Sequence, residues 1–534
     1  MLTSRNIGGV NVFRASENCE DWVYQRVKRR VFQTHVSGVY TDIIKVTDIV
    51  NTAYCAYYEL IDEYLPQVDH REFAQFLGNE YELYGQVAEI FKNGQLSLED
   101  EEYWQSYASH ARRGIKHLLE LLCMEGMTTG NSVSTIDEEE NAVSILFVAV
   151  EELVSLYMRS DHYRSLLDEI RLVLDESKHV YFDVAQDRDI IFDIRGDASD
   201  ADKYIPNPSF LTDSKRHNKI LEPSFIQKFG ISYSDVLGCL QFLITKACES
   251  EYPGMYRRIR VQHAIGILCG AFPINAQQAR RIIDGFALTA QNMRTEGREL
   301  FRPKQQHRAY KRGFFLVAAE NGEELFFSKR MALECLSLLV ADVPFRKFPS
   351  EWHSHAIDDA LNTLSLQAGR WFEQVVQSNF ATVGIDGIPS LKRLVFKNGS
   401  RLEIPSKVGE IDFLGLCQNR KMIIVAEVKQ VGFATEPRMF LDDLDKFITR
   451  KDNYSEKFER KFKWVIEHHE VVGRYLAERL SCSAVAEHVG YVMITHYPMF
   501  VSRKIIGFSC VSITEFMQRY KENRTWKFSK TDIG

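Results

Sequence analysis

Three charged side chains lie on two short apolar segments in the last third of the chain. Asp412 belongs to the segment GEIDFLGL, and Glu427 and Lys429 belong to MIIVAEVKQ, which follows after the connection CQNRK. Side chains on a strand alternate between its two faces, so Glu427 and Lys429 point the same way while Val428 points into the core. If the two strands pair, as the short connection indicates, Asp412 reaches the same face. The pattern therefore predicts two carboxylates and one ammonium at one edge of a sheet.

Such a group suits the hydrolysis of phosphodiesters. Mg²⁺ takes oxygen ligands and keeps several waters, so Asp412, Glu427 and the backbone carbonyl of Val428 are adequate to bind it. A bound Mg²⁺ or Mn²⁺ lowers the pKa of a water and neutralises charge that grows on the phosphate. Lys429 can orient the attacking water or help to deprotonate it. On spacing alone, a structural Asp–Lys–Glu network at a strand end is an equally good interpretation, because short motifs often occur by chance.

The order of the surrounding elements resembles the PD-(D/E)XK nuclease superfamily. In that family a helix bearing Glu precedes a strand with Asp, a strand with (D/E)xK, a helix and a further strand. Here AGRWFEQVVQSNF supplies Glu373, GEID supplies Asp412, and AEVK supplies Glu427 and Lys429. The segments YSEKFERKFKWV and YVMIT follow in the family's order. No proline precedes Asp412, which makes the motif less specific.

The resemblance implies a restriction-endonuclease-like α/β (α+β) domain, with a mixed central sheet flanked by helices. It implies that Asp412 and Glu427 are metal ligands, that Lys429 is the catalytic lysine and that Glu373 is an auxiliary ligand. Glu410 shares the face of Asp412, and we expect it to contact the metal ligands without binding the metal itself. The function expected is metal-dependent cleavage of nucleic acid, with DNA as the expected substrate and an endonuclease as the expected type.

Two other kinds of function remain open. One is a non-catalytic module that keeps the fold and binds nucleic acid or protein. The other is a scaffold whose helical region binds a protein partner and whose C-terminal module merely docks nucleic acid. A helical sensor attached to such a nuclease is also typical of bacterial and antiviral defence effectors, although this is an analogy of architecture alone.

Basic residues follow the motif and alternate with aromatic ones, which predicts a surface that tracks phosphates. Acids are mixed in, so an ordinary charged helix face is equally compatible with the pattern. The nucleic-acid-binding candidates are Lys446, Arg450, Lys451, Lys457, Arg460 and Lys461. A second basic group predicts a DNA-facing linker and comprises Arg302, Lys304, His307, Arg308, Lys311 and Arg312.

Charge is distributed unevenly between the two ends of the chain. From Leu366 to Gly534 there are 26 Lys+Arg and 20 Asp+Glu, a balance of +6. Since the whole chain has a net charge of −7, the preceding residues carry −13. A basic C-terminal part joined to an acidic larger part indicates that only the former meets a polyanion.

The length of 534 residues exceeds what one core usually organises. We predict a mainly helical domain over 1–200 with a small β element, a helical middle region with a β-hairpin over 201–345, and a nuclease-like domain over 366–534. The junction is placed between 340 and 365, near prolines 344 and 349. We expect the helical region to serve regulation, sensing or oligomerisation, through a second copy or a protein partner.

Apolar periodicity predicts the individual elements. Helices are predicted over 21–33, 46–64, 73–91, 106–123, 141–158, 232–250 and 276–295, with Thr47 and Ser106 as N-caps. Strand character is predicted over 181–194, and a hairpin over 313–328 turns at Asn321-Gly322. In the last third the predicted order is helix 366–380, hairpin 391–397 and 400–405, strands 410–416 and 422–429, helix 442–480 with a break near Asp452-Asn453, strands 491–495 and 505–511, and helix 512–521.

Composition favours a soluble protein of the cytoplasm that does not bind a membrane. The ten cysteines are scattered singly, which fits buried thiols in a reducing compartment. The N-terminal segment lacks the apolar core of a signal peptide. The most apolar helical run, 142–158, is interrupted by Glu151 and Glu152, and we interpret it as a buried helix.

Overall fold

The structure is a computed structural model, and its described residues fall into two compact units. The described residues are 2–127, 136–165, 171–175, 181–182, 203–207, 209–246, 256–294, 305–320, 322–434, 437–482, 486–523 and 525–533. The first unit falls within Met1–Tyr163, Glu169–Asp183 and Ser214–Asn362, and the second within Arg164–Asp168, Val184–Asp213 and Thr363–Gly534. Most of the two segments predicted over 1–200 and 201–345 thus belongs to one unit.

Helices that bury one apolar stripe dominate the first unit. The first of them, for example, buries Cys19, Val23, Val27 and Val31 at four-residue spacing. The helices are α1 (Glu17–Val31), α2 (Ile43–Tyr64), α3 (His70–Lys92), α4 (Leu98–Glu125), α5 (Ile136–Ser165), α6 (Ser214–Phe229), α7 (Tyr233–Lys246), α8 (Val261–Ala271), α9 (Ala276–Asp284), α10 (Ala290–Arg294) and α11 (Lys329–Asp342).

The predicted N-caps Thr47 and Ser106 are wrong, because both residues lie inside helices. The side chain of Asp42 caps α2 through the N–H groups of residues 44 and 45, and Ser97 caps α4 through that of residue 100. The first turns of these helices bury almost nothing, so the apolar periodicity becomes visible only about one turn after the helix begins.

Helix α5 contains the apolar run that was predicted to be buried, and that prediction is confirmed. Among the described residues, Glu138–Arg159 is the one stretch of helix long and apolar enough to cross a membrane, and 78% of that window is buried within the protein. Inside it, Glu151 pairs with Arg14 of the N-terminal hairpin. Burial of this extent is what a core helix of a soluble protein shows.

The described strands of the first unit form three small sheets. The predicted hairpin is confirmed by the antiparallel register from Phe315↔Phe326 to Ala319↔Gly322. The single helix predicted over 276–295 is wrong, because α9 ends at Asp284 and a short strand pairs parallel with the hairpin before α10. The strands are β1 (Leu2–Ile7), β2 (Val10–Ala15), β3 (Gly38–Tyr40), β4 (Leu172–Leu174), β5 (Tyr181–Phe182), β6 (Tyr256–Arg260), β7 (Ala287–Thr289), β8 (Phe314–Ala319) and β9 (Gly322–Ser328). Apart from β5, the region predicted as strand over 181–194 lies outside the described residues.

The basic residues before β8 were predicted to form a DNA-facing linker. Those that the structure describes instead pair with acids inside the first unit. Arg308 Nε lies 2.9 Å from the buried carboxylate of Glu120, and Arg312 Nη2 lies 2.8 Å from Glu351. Lys311 pairs with Asp342. These cations stabilise the interior of the first unit, because a buried charge requires a partner. Arg302 and Lys304 lie outside the described residues.

Replacing Glu351 by Gln tests the ion pair between Glu351 and Arg312. Burial alone would raise the pKa of Glu351, but His307 and Arg312 outweigh this effect and lower the pKa to about 2. Since this lies below the ordinary value of about 4.3, the ionised carboxylate stabilises the fold near neutral pH, and the contribution disappears as the pH falls from about 4 through 2. In urea denaturation we expect Glu351→Gln to lower the free energy of unfolding by about 1–3 kcal/mol at pH 7, and by less at pH 3.

The matched control is Glu99→Gln in the same unit, whose side chain is 89% exposed beside Arg5. We expect no comparable loss in that variant. A loss in Glu351→Gln that is as large at pH 2.5 as at pH 7 would contradict the account.

A mixed sheet flanked by helices organises the second unit, as predicted. Its order is β10-β13-β14-β15-β16, with β17 pairing with β15 at one end. The strands are β10 (Asp386–Leu391), β11 (Arg393–Val395), β12 (Arg401–Glu403), β13 (Ile411–Cys417), β14 (Met422–Lys429), β15 (His488–Thr495), β16 (Ser509–Ser512) and β17 (Ser529–Asp532). The helices are α12 (His355–Thr382, from Thr363 in this unit), α13 (Pro437–Leu444), α14 (Tyr454–Glu467), α15 (His469–Leu480) and α16 (Ile513–Asn523).

Several elements differ from the predictions for this unit. Strands β10 and β17 were not predicted, and the helix predicted over 442–480 is three helices and a π-helical turn, Asp445–Thr449. One of its breaks is near Asp452-Asn453, as predicted, where Asp452 has a φ of 57°. Asn453 begins α14 by accepting a hydrogen bond from the N–H of Glu456.

Strand β14 lies at the centre of the sheet and divides the core into two layers. Ile423 and Val425 belong to the apolar layer that contains Phe458 and Phe462 of α14. Residues 424, 426 and 428 belong to the layer that contains α12. By alternation, Glu427 and Lys429 lie on the face covered by α14.

Candidate active site

Asp412 and Glu427 stand opposite each other on adjacent strands. The antiparallel pairing of β13 with β14 reaches Phe413↔Ala426, and the same register places residue 412 across from residue 427. Directly opposite side chains in an antiparallel pair lie on one face, about 5 Å apart. Both carboxylates are nearly buried, with side-chain exposures of 11% for Asp412 and 2% for Glu427.

Two ammonium groups bridge these carboxylates. Lys429 Nζ lies 3.1 Å from Asp412 Oδ2 and 2.6 Å from Glu427 Oε1. Lys461 Nζ lies 3.0 Å from Asp412 Oδ1 and 2.5 Å from Glu427 Oε2. The backbone N–H of Val428 donates a further hydrogen bond to Asp412 Oδ2 at 3.0 Å. We call Asp412, Glu427, Lys429 and Lys461 the four-charge cluster.

Lys461 is the member whose position was not foreseen. It was predicted as a weak phosphate-binding residue, whereas its side chain is 9% exposed and inserted between the two acids. The signal was present in the sequence, because Phe458, Lys461, Phe462 and Val465 follow the i, i+3, i+4, i+7 spacing of a buried helix face. A lysine within such a stripe requires a buried acid as its partner.

The pKa values of the two acids shift in opposite directions. Burial raises the pKa of Asp412, but the charges of Lys429 and Lys461 and the Val428 N–H outweigh it, so the pKa lies below its ordinary value. Burial also raises the pKa of Glu427, and the charge of Asp412 adds to the rise, so its pKa stays above the ordinary range despite the lysines. Although burial lowers the pKa of Lys429, the two carboxylates raise it well above normal, so this lysine stays charged.

Glu373 lies close to the cluster but not in it. Its carboxylate accepts a hydrogen bond from the hydroxyl of Ser390. The flanking pairs Pro389↔Phe413 and Leu391↔Ile411 place Ser390 opposite Asp412 in the sheet. Burial and the charge of Asp412 raise the pKa of Glu373. Glu373 therefore approaches the edge of the site from α12, on the other face of the sheet from α14.

Glu410, predicted to support the ligands, has its ion pair elsewhere. Its carboxylate lies 3.4 Å from Lys392 Nζ, and its side chain is 36% exposed. It follows Gly409, whose φ of 82° lies in the region that favours glycine. Glu410 thus lies at the mouth of the site.

The donor set fits a hard divalent cation. The carboxylates of Asp412 and Glu427 share two ammonium groups, and each contact is 3.1 Å or shorter. The position between the two acids therefore favours positive charge. The Val428 carbonyl adds an oxygen at 3.3 Å from Lys429 Nζ. In the part of the chain that the structure describes, no group of three or more Asp, Glu, His or Cys side chains is positioned to hold a metal. Mg²⁺ accepts such a site because it keeps waters as its remaining ligands.

An open cleft of about 1150 Å³ gives access to the cluster. One wall is the 406–410 segment, and the other is the face of α14 that carries Tyr454, Lys457 and Lys461. Arg460 Nε donates to the carbonyl of Lys407 at 3.0 Å, so it connects the two walls. The cleft is therefore lined by cations that are spaced along α14 and by the acids that pair with them, Asp412, Glu427 and Asp452.

The remaining basic candidates lie outside this lining. Lys446 is 3.9 Å from Asp443, Arg450 stacks on the Tyr454 ring at 5.4 Å, and Lys451 is exposed. The structure thus brings Lys457, Arg460 and Lys461 to the cleft, whereas Lys446, Arg450 and Lys451 are not among the residues that line it.

Comparison of the chain with known proteins identifies no similar family, protein or structure. No family model matches the chain, and neither does any curated protein or solved structure. The chemistry of the site must therefore be inferred from its geometry.

Paired neutral substitutions test the opposite pKa shifts. A lowered pKa means that ionised Asp412 stabilises the fold at neutral pH, a contribution lost as the pH falls below about 3.9. A raised pKa means that ionisation of Glu427 costs stability, so its neutral form is tolerated. We expect Asp412→Asn to lower the stability of the second unit by about 3 kcal/mol at pH 7 without metal, and Glu427→Gln by less than half of that.

Hydrogen exchange of β13 and β14 in urea measures the stability of the second unit separately from the first. Each variant serves as the control for the other, because both remove one charge without changing shape. An equal or larger loss in Glu427→Gln would contradict the assignment.

Proposed function

We propose that the second unit is a metal-dependent nuclease of the PD-(D/E)XK type, which hydrolyses phosphodiester bonds with Mg²⁺ or Mn²⁺. The observation that supports this most is the pair of opposed carboxylates, Asp412 and Glu427, buried at the end of a cleft whose walls also carry Lys457 and Arg460. We propose DNA as the first candidate substrate and endonuclease cleavage as the type of reaction.

The residues of the site then have distinct roles. Asp412, Glu427 and the Val428 carbonyl would hold the cation, which supplies an activated water and neutralises phosphate charge when bound. Lys429 stays protonated beside two carboxylates. It is therefore suited to orienting the water and stabilising negative charge on the phosphate, and poorly suited to removing a proton. Glu373, at the edge of the site, would contact the cation through water.

The cleft walls provide the contacts for the nucleic acid backbone. Lys457 and Arg460 lie on the wall of the cleft and are 41% and 38% exposed. Both pair with Asp452, which a phosphate can replace as the partner. Tyr454 adds a half-buried ring beside Lys429 that a base or sugar can contact.

For the first unit we propose regulation, sensing or oligomerisation, as in a cytoplasmic defence effector. Its acidic charge suggests that a protein partner or a second copy, and not nucleic acid, contacts it.

A cleavage assay tests the proposed function. The full chain is incubated with supercoiled DNA, linear DNA or RNA in the presence of Mg²⁺ or Mn²⁺. We expect cutting that depends on metal and that falls by at least about 100-fold in Asp412→Asn, which removes a metal ligand, and in Lys429→Met, which removes the ammonium beside the reacting phosphate. The control is Lys463→Met on the same helix, whose side chain is 60% exposed and paired with Glu459.

Each outcome distinguishes the candidates. Cutting that survives both Asp412→Asn and Lys429→Met would rule out this site. No cutting by the wild type with either metal, at high protein concentration, would favour the second candidate, a non-catalytic binding module. That candidate is favoured by one observation, which is that the four charges of the cluster already satisfy each other.

A further inference from the structure

Lys461 lies where the two carboxylates meet on the side of α14. Its ammonium contacts one oxygen of Asp412 and one of Glu427, at 3.0 Å and 2.5 Å, while Lys429 contacts the other oxygen of each. All four carboxylate oxygens therefore already have a cationic partner. A divalent cation that binds both acids must therefore either displace an ammonium or share these oxygens with both of them.

The two lysines differ in how firmly they are held. Lys429 follows Glu427 on the same strand and also donates to the Val428 carbonyl at 3.3 Å. Lys461 reaches the acids from a separate element, α14, through the end of a long side chain. Among the residues that the structure describes, its ammonium contacts only Asp412 and Glu427. Lys461 is therefore the one that can leave without disturbing the sheet.

The charges of the site favour this exchange over simple addition. Two carboxylates and two ammonium groups sum to zero, so adding a divalent cation would leave an excess of +2 in a buried place. A cation bound by both acids would be repelled by the neighbouring ammonium groups, and this repulsion is strong where water is largely excluded. Moving Lys461 into the cleft relieves that repulsion and brings a third cation to the wall that carries Lys457.

We propose that Lys461 is an exchangeable counter-ion, which holds Asp412 and Glu427 together before metal binds and moves into the cleft when a divalent cation replaces it. The proposal rests on the proposed function for the identity of the incoming ion. Lys461 is thus a positioning residue for the metal ligands. In the cleft, its ammonium becomes available to the phosphate of the substrate, so metal and nucleic acid favour each other's binding.

The first test measures the affinity for Mn²⁺ alone, by titration calorimetry and electron paramagnetic resonance on the full chain. We expect Lys461→Met to bind Mn²⁺ at least about tenfold more tightly than the wild type, because the competing cation is gone. Lys457→Met, which removes a cation from the same cleft but not from the acids, controls for the change in net charge. If Lys461 were only structural, its loss would disorder the ligands and weaken Mn²⁺ binding.

The second test uses the unaltered protein and so does not depend on the folding of a variant. Lysines are acetylated briefly with and without saturating Mn²⁺, and labelling is quantified by mass spectrometry. We expect Lys461 to be protected without metal and several-fold more reactive with it, while exposed Lys463 is labelled equally in both states.

Two results would overturn the proposal. They are Mn²⁺ binding by folded Lys461→Met that is no tighter than that of the wild type, and protection of Lys461 that persists at saturating Mn²⁺. Neither readout requires cleavage. Exchange of Lys461 without any cutting would therefore reject the proposed function alone, and cutting with Lys461 still protected would reject this inference alone.

Discussion

The burial of two carboxylates side by side, compensated by two lysines, is the constraint on which the second unit depends. Glu427 lies on the central strand of the sheet and is almost inaccessible to water. An isolated carboxylate in such a place is very unfavourable, and two neighbouring ones repel each other. Lys429 lies on the strand of Glu427, but Lys461 must come from α14. The packing of Phe458 and Phe462 against the sheet therefore also delivers the charge that the site requires.

This constraint connects stability with function. A cluster that is neutral and mutually satisfied is compatible with a purely structural role, but its position at the end of an open cleft gives it access to solvent and ligands. Buried ion pairs contribute little net stability compared with apolar packing, so four charges are a poor choice for holding a sheet together. They are a good choice where the protein exchanges one cation for another. The same oxygens that accept from Lys429 and Lys461 are those that a hard metal ion would use.

The acids of the site could be predicted from local sequence patterns. The residues whose partners lie on distant elements could not. Strands β13 and β14 follow from two apolar runs joined by a short connection, and side chains alternate between the faces of a strand. The convergence of Asp412, Glu427 and Lys429 was therefore predictable from fewer than twenty-five residues. The place of Lys461 depends on how α14 packs across the sheet, which no local spacing specifies, although its position in an apolar stripe was a usable signal. The same limit explains the error with Arg308 and Arg312, because their partners Glu120 and Glu351 lie on separate elements. The short edge strands β10 and β17 lack a distinctive pattern and were not predicted.

The most direct test of the central claim is a crystal structure of the full chain soaked with Mn²⁺, with anomalous scattering recorded at the manganese edge. The account predicts one strong anomalous peak within about 2.2 Å of carboxylate oxygens from both Asp412 and Glu427, and no such peak in Asp412→Asn crystals. Wild-type crystals that show no peak at saturating Mn²⁺, with both acids still bridged by Lys429 and Lys461, would contradict the claim that this cluster is a metal site.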